Sequence, residues 1–130
     1  MTRCLALLAM TLALISAAPA FAGASRIERV VTPAGIELWL VRDKNLPMLS
    51  LDFAFRGGAA QDPADKPGVA HLVAALLDEG AGDLDAPAFH ERLEERAISL
   101  SFGANRDNLR GSIRTLSENR DQAFELLRLP

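Results

Sequence analysis

Two histidines, His71 and His90, are the imidazoles of this 130-residue sequence, and its single cysteine is Cys4. Ligands that share a zinc ion from one helix stand three or four residues apart, so the two histidines do not form such a pair. His90 falls between Phe89 and Glu91 on the polar side of an amphipathic stretch and reads as a solvated ring. Around it, Glu91, Glu94 and Glu95 interleave with Arg92 and Arg96, a solvated face whose i, i+4 pairs add only about 0.2–0.5 kcal/mol each. His71 is different because it lies in the apolar run Val69-Ala70-His71-Leu72-Val73-Ala74-Ala75-Leu76-Leu77. A buried imidazole needs a partner, so it is either a core histidine bonded to a backbone carbonyl or a metal ligand. A catalytic zinc takes three protein ligands and keeps one open position. The helical neighbours of His71 at i+3 and i+4 are Ala74 and Ala75, and methyl groups stand where a general base or second ligand would be. Asp78 and Glu79 are the other candidates for a displaced ligand set. On an ideal helix Asp78 shares the face of His71 but lies about 10 Å along the axis, too far to share one ion.

The elements that would position these residues can be read from periodicity. Residues 27–31 and 36–42 read as strands, and Thr32-Pro33-Ala34-Gly35 between them is a turn, so a hairpin is expected. Residues 48–56 alternate cleanly, with Leu49, Leu51, Phe53 and Phe55 on one face and Ser50, Asp52, Ala54 and Arg56 on the other. Residues 69–77 are apolar on nearly every side and predict a buried helix, with Gly80 as its left-handed cap. Asp85 is a good N-cap, with Pro87 in the first turn, for a helix to about Arg96 with a Phe89, Leu93, Ala97 stripe. Residues 98–102 and 109–115 alternate as strands around a turn at residues 105–108. Asn119 and Gln122 resemble a capping box for a last helix with Ala123, Phe124, Leu126 and Leu127 toward the core. The order β-β-β-α-α-β-β-α, with strands in runs, predicts an α+β fold: an antiparallel sheet with helices packed on one face.

Composition narrows the classes further. The chain is 49% hydrophobic and 24% charged with a net charge of −3, a globular balance without the clustered Lys and Arg that nucleic acid requires. Residues 1–22 have a basic start at Arg3, an apolar run from Cys4 to Ile15, and Ala20-Phe21-Ala22 as a small-x-small site. That is the pattern of a secretory signal peptide cleaved after Ala22. The apolar run is shorter than the ~20 residues needed to span a bilayer, so an exported, periplasmic protein with no membrane span after cleavage is expected. Residues 23–130 then carry no cysteine and rest on core packing. They read as the N-terminal portion of a longer domain, because the last helix has nothing after it to close the layer.

Asp62-Pro63-Ala64-Asp65-Lys66-Pro67-Gly68-Val69-Ala70-His71-Leu72 resembles the start of the first helix in the pitrilysin/insulinase family of zinc metallopeptidases, where Gly-x-x-His leads into the inverted motif H-x-x-E-H. The resemblance extends over residues 31–129. It takes in Arg56-Gly57-Gly58-Ala59, Gly80, residues 89–93, the hairpin of residues 98–116 and the passage from Leu116 to Leu127. Carried over by position, the first zinc histidine is His71, the catalytic glutamate is replaced by Ala74, and the second zinc histidine is replaced by Ala75. The third ligand would fall beyond Pro130. The resemblance therefore implies no catalytic residue and no zinc in this chain, since a lone imidazole does not hold the ion against water.

It also implies a peptide-accepting strand edge, which corresponds to Ser101-Phe102 here and works through main-chain hydrogen bonds. Some family members act in pairs, with one subunit bearing the zinc motif and its homologue closing a peptide-enclosing chamber. The expected function is that of a non-catalytic subunit in a hetero-oligomer with a zinc-bearing peptidase, with extended peptides as ligands. The alternatives are a structural or peptide-binding module of the same fold without a peptidase partner, and an active peptidase with displaced ligands.

Overall fold

A computed structural model describes residues 26–130, so the leader expected in residues 1–22, with Cys4, lies outside the described residues. The chain divides into two units, the second being Asn45–Pro130.

In the first unit β1 (Ile27–Val31) and β2 (Glu37–Val41) form an antiparallel hairpin. Its turn is closed by the Gly35 N–H on the Thr32 carbonyl and by the Ile36 N–H on Thr32 Oγ1. Gly35 has φ +80°, a conformation that glycine adopts without strain. Arg29 grips Glu37 with two hydrogen bonds of 2.7 and 2.9 Å, and the Trp39 Nε1–H adds a third at 2.8 Å. The Arg29 guanidinium, helped by that indole, holds the Glu37 carboxyl below the usual carboxylate range, and the Arg29 side chain is in turn raised by Glu37. Every residue of β2 is exposed.

The second unit is built on an antiparallel sheet of β3 (Met48–Arg56), β6 (Ser99–Ala104) and β7 (Asn108–Leu116), in the order β3-β7-β6. Against it lie α1 (Val69–Leu76), α2 (Ala86–Glu95) and α3 (Arg120–Leu127). The two-residue strands β4 (Gly80–Ala81) and β5 (Leu84–Asp85) pair between α1 and α2, a short hairpin the periodicity did not reveal. Phe89 and Ile113 are completely buried, and Leu93, Ile98, Leu100, Ala123 and Leu126 complete the core around them. The α+β expectation holds, with helices on the face that carries Leu51, Leu100 and Ile113.

Several local expectations are corrected. Gly80 has φ +108° but belongs to β4, where an added Cβ would meet the Leu84 carbonyl oxygen at 2.9 Å. It therefore serves the short hairpin, while α1 ends at Leu76 with Leu77 as its C-cap. Asp85 does cap α2, accepting the Ala88 N–H at 3.0 Å. Phe89 and Leu93 are buried below it, but Ala97 is past the helix end, exposed and left-handed at φ +49°. Asn119 makes no capping box. Its Nδ2 donates to the Arg96 carbonyl at 2.8 Å, tying the end of α2 to the start of α3. Ala123 and Leu126 face the core as expected, whereas Phe124 is 37% exposed. On β3, Leu49, Leu51 and Phe53 are half-buried, but Phe55 stands 62% exposed.

Candidate functional site

The positions at which the family's zinc chemistry would stand, His71, Ala74 and Ala75, all fall on α1, a helix of eight residues. Such a helix is too short to be stable by itself and depends on what holds its ends. Asp62 supplies that hold from outside the helix. Its Oδ2 accepts the Gly68 N–H at 2.7 Å and its Oδ1 the Ala70 N–H at 2.9 Å, satisfying two of the unpaired amides of the first turn. Gly68 turns the chain into the helix at φ +97°. Nothing in the local spacing reveals Asp62 as a cap, because a capping side chain normally precedes its helix directly.

A second joint fixes where α1 starts. The Gly57, Ala59 and Ala60 N–H groups donate to the Asp107, Asn105 and Arg106 carbonyls at 3.0, 2.9 and 2.7 Å. The turn after β3 is thereby docked, backbone to backbone, onto the β6–β7 turn. The Asn105 Oδ1 shapes that turn by accepting the Asp107 and Asn108 N–H groups. At Gly58 the approach is so close that an added Cβ would fall on the Asn105 carbonyl oxygen and lie 2.7 Å from the Asn108 nitrogen. A shallow cavity of about 220 Å³ remains between this joint and α1, lined by Gly58, Gln61, Val69, Val73 and Leu109.

His71 is exposed and makes no hydrogen bond among the described residues. The expectation of a buried, partnered imidazole is thus corrected. Its physical ground, a helix too apolar for the surface, fails because Leu72, Val73 and Leu76 are themselves 60%, 45% and 55% exposed. Ala74 is the one buried residue of α1, at 4%, and Ala75 is exposed on the face of His71. Asp78 and Glu79 follow the helix rather than continue it, with the Glu79 N–H closing a turn on the Leu76 carbonyl. The ideal-helix spacing used for a displaced ligand set does not apply to them. Among the described residues no three His, Cys, Asp or Glu side chains come together where they could hold a metal ion. His90 is exposed, as expected of a solvated ring, and stands edge-on to Phe89 with centroids 6.3 Å apart. The acidic and basic residues around it are exposed too, without an ion pair among them in the described structure.

Ser101 and Phe102 lie on β6, an outer strand of the sheet, against which α1 packs. The Asn105 N–H donates to the Asn108 carbonyl at 2.9 Å, which makes that pair a hydrogen-bonded one. By the alternation of an antiparallel ladder, Ser99, Ser101 and Gly103 bond inward to β7, and Leu100, Phe102 and Ala104 turn their N–H and C=O groups to the free edge. The Phe102 ring packs edge-on to Phe53 at 6.4 Å, and the Ser101 hydroxyl pairs with that of Ser112 at 2.9 Å. What the arrangement offers is a strand edge unpaired among the described residues, beside a helix with one imidazole and two methyl groups.

No family model matches the sequence. The non-peptidase homolog YmxG of Helicobacter pylori is 37% identical over 89 residues, which are 65% of this chain and 21% of that protein. The crystal structure of a peptidase M16 inactive domain from Pseudomonas fluorescens matches 78% of this chain and 25% of its own at 32% identity, with a TM-score of 0.71. This chain belongs to the pitrilysin/insulinase family and lacks its zinc motif. A protease from Helicobacter pylori shares the fold, with a TM-score of 0.65 at 22% identity over 79% of this chain and 25% of its own. The chain thus spans about a fifth to a quarter of the relatives it matches. Within the family's motif His71 stands at the first position, with Ala74 and Ala75 at those of the general base and the second histidine.

Proposed function

We propose that the protein is a non-catalytic, exported partner of a homologous zinc peptidase, and that it helps to enclose and bind extended peptide. The observation that carries this reading is the composition of α1: one exposed imidazole, with alanine at both positions from which zinc and its water would be controlled. Loss of a general base alone costs typically 10²–10⁴-fold in rate, and loss of the second histidine removes the metal that such a base would serve. The β6 edge, by contrast, needs no particular side chain to accept a peptide strand, so binding outlasts the loss of chemistry. The family relationship supports the same reading, since two of the similar proteins are described as a non-peptidase homolog and an inactive domain. The peptidase partner, the periplasmic location and the peptide ligand are parts of this proposal.

Pull-down of the full-length exported protein tests it, with zinc content and peptide cleavage measured on the isolated chain and on the complex. The expected result is a homologue bearing H-x-x-E-H in the complex, cleavage by the complex only, and zinc that follows the partner. Stoichiometric zinc in the isolated protein that is lost on His71→Ala would refute it. Peptide binding without any peptidase partner would leave the β6 edge as a binding module in its own right.

A further inference from the structure

The free edge of β6 adjoins an open sheet face whose charge is opposite to that of the chain as a whole. The chain carries 17 acidic against 14 basic residues. On the open face of the sheet, however, stand Arg56, Arg110 and Arg114 with Asp52 as the one carboxylate, by the strand register. Arg110 and Arg114 are exposed, and neither has an ion pair among the described residues. Between them and the free edge lies β6, whose residues on this face are small. Ser99 stands opposite Arg114 and Gly103 opposite Arg110. A Cβ placed on Gly103 would meet nothing within 4 Å, and the Ser101 hydroxyl is held down on Ser112. The lane over β6 is therefore clear for an arginine side chain to lie across it.

We propose that the β6 edge selects acidic peptides, with carboxylate side chains four residues apart on the added strand meeting Arg110 and Arg114. This rests on the reading of β6 as a peptide-accepting edge. A strand added to β6 lies two strand spacings, about 9.6 Å, from β7, a gap that an extended arginine and an extended glutamate span from opposite sides. Side chains of the added strand alternate between faces, so only every second one reaches the open face. Arg110 and Arg114 are both on that face, about 13 Å apart along β7, which sets the matching spacing at i and i+4. A carboxylate three residues from the first would point to the helix-covered face.

The test uses full-length protein and labelled nine-residue peptides that are identical except at two positions four apart, carrying Glu/Glu, Gln/Gln or Lys/Lys. Fluorescence anisotropy at low salt is expected to show Glu/Glu binding roughly three- to tenfold tighter than Gln/Gln, the scale of two exposed ion pairs, and Lys/Lys weakest. The preference should vanish in the Arg110→Gln/Arg114→Gln variant and reverse in Arg110→Glu/Arg114→Glu. The Gln/Gln affinity should stay unchanged in both, which also shows that the variants are folded. A Glu/Glu peptide methylated on its backbone amides should lose binding. Equal affinity for Glu/Glu and Gln/Gln would overturn the selectivity while leaving the edge intact. Undiminished binding of the methylated peptide would overturn the strand geometry. Absence of binding by every peptide would remove the edge itself, and the selectivity with it.

Discussion

Replacing Gly58 by alanine should damage the second unit out of proportion to the size of one methyl group. Gly58 itself has φ −93°, so the residue is under no left-handed constraint and the cost comes from space. The new Cβ would fall on the Asn105 carbonyl oxygen, and the next atoms it meets, the Asn108 nitrogen at 2.7 Å and the Arg106 carbonyl carbon at 2.8 Å, are also backbone. No side chain can swing aside, so the two turns must part. Parting them breaks the hydrogen bonds of Gly57, Ala59 and Ala60 to the β6–β7 turn. At about 1 kcal/mol net for each bond the loss is about 3 kcal/mol. For a unit of this size that corresponds to a fall in Tm of roughly 12–24 °C. The control is Gly103→Ala, whose Cβ meets open space and which should cost less than about 1 kcal/mol. Urea unfolding of both variants, with m-values compared, measures the difference. A Gly58→Ala protein within 1 kcal/mol of the parent would refute the close approach of the two turns. So would a Gly103→Ala protein that is equally destabilised.

Other expectations follow from the same contacts. Asp62→Ala should cost about 1–2 kcal/mol by removing both bonds to the first turn of α1, and hydrogen exchange should speed up at Leu72 and Val73 before the core amides respond. Thr115→Val should stabilise the protein by about 1 kcal/mol in thermal or urea melts, because the Thr115 hydroxyl is buried without a hydrogen-bond partner among the described residues. In an NMR titration the Glu37 carboxyl should titrate below the ordinary glutamate range and move up toward it in Arg29→Ala, where the Trp39 indole still donates to it. The sign follows from linkage: a carboxyl lowered in the folded hairpin stabilises it above the unfolded pKa. That contribution is lost as pH falls through the lower folded value.

What the sequence determined by itself was everything local. The alternation of residues 48–56 and 109–115, the Asp85 cap and the Thr32–Gly35 turn specify strands, helix and hairpin through neighbours a few residues apart, and the structure places them with shifts of one or two residues. The absence of the zinc motif was equally legible, because a ligand spaced at i+4 on one helix is a matter of sequence alone. Composition suggested that α1 is buried, but apolar residues state a preference for burial without stating what covers them, and Leu72, Val73 and Leu76 stay exposed in the described residues. Asp62 as a cap, Asn119 as a tie to Arg96 and the fit of Gly58 against Asn105 joined residues distant in the chain. The row of Ser99, Gly103, Arg110 and Arg114 likewise exists only once β6 and β7 are in register. These belong to the tertiary structure because a backbone contact or a shared sheet face arises only when separate segments meet, and no periodicity within either segment records the other.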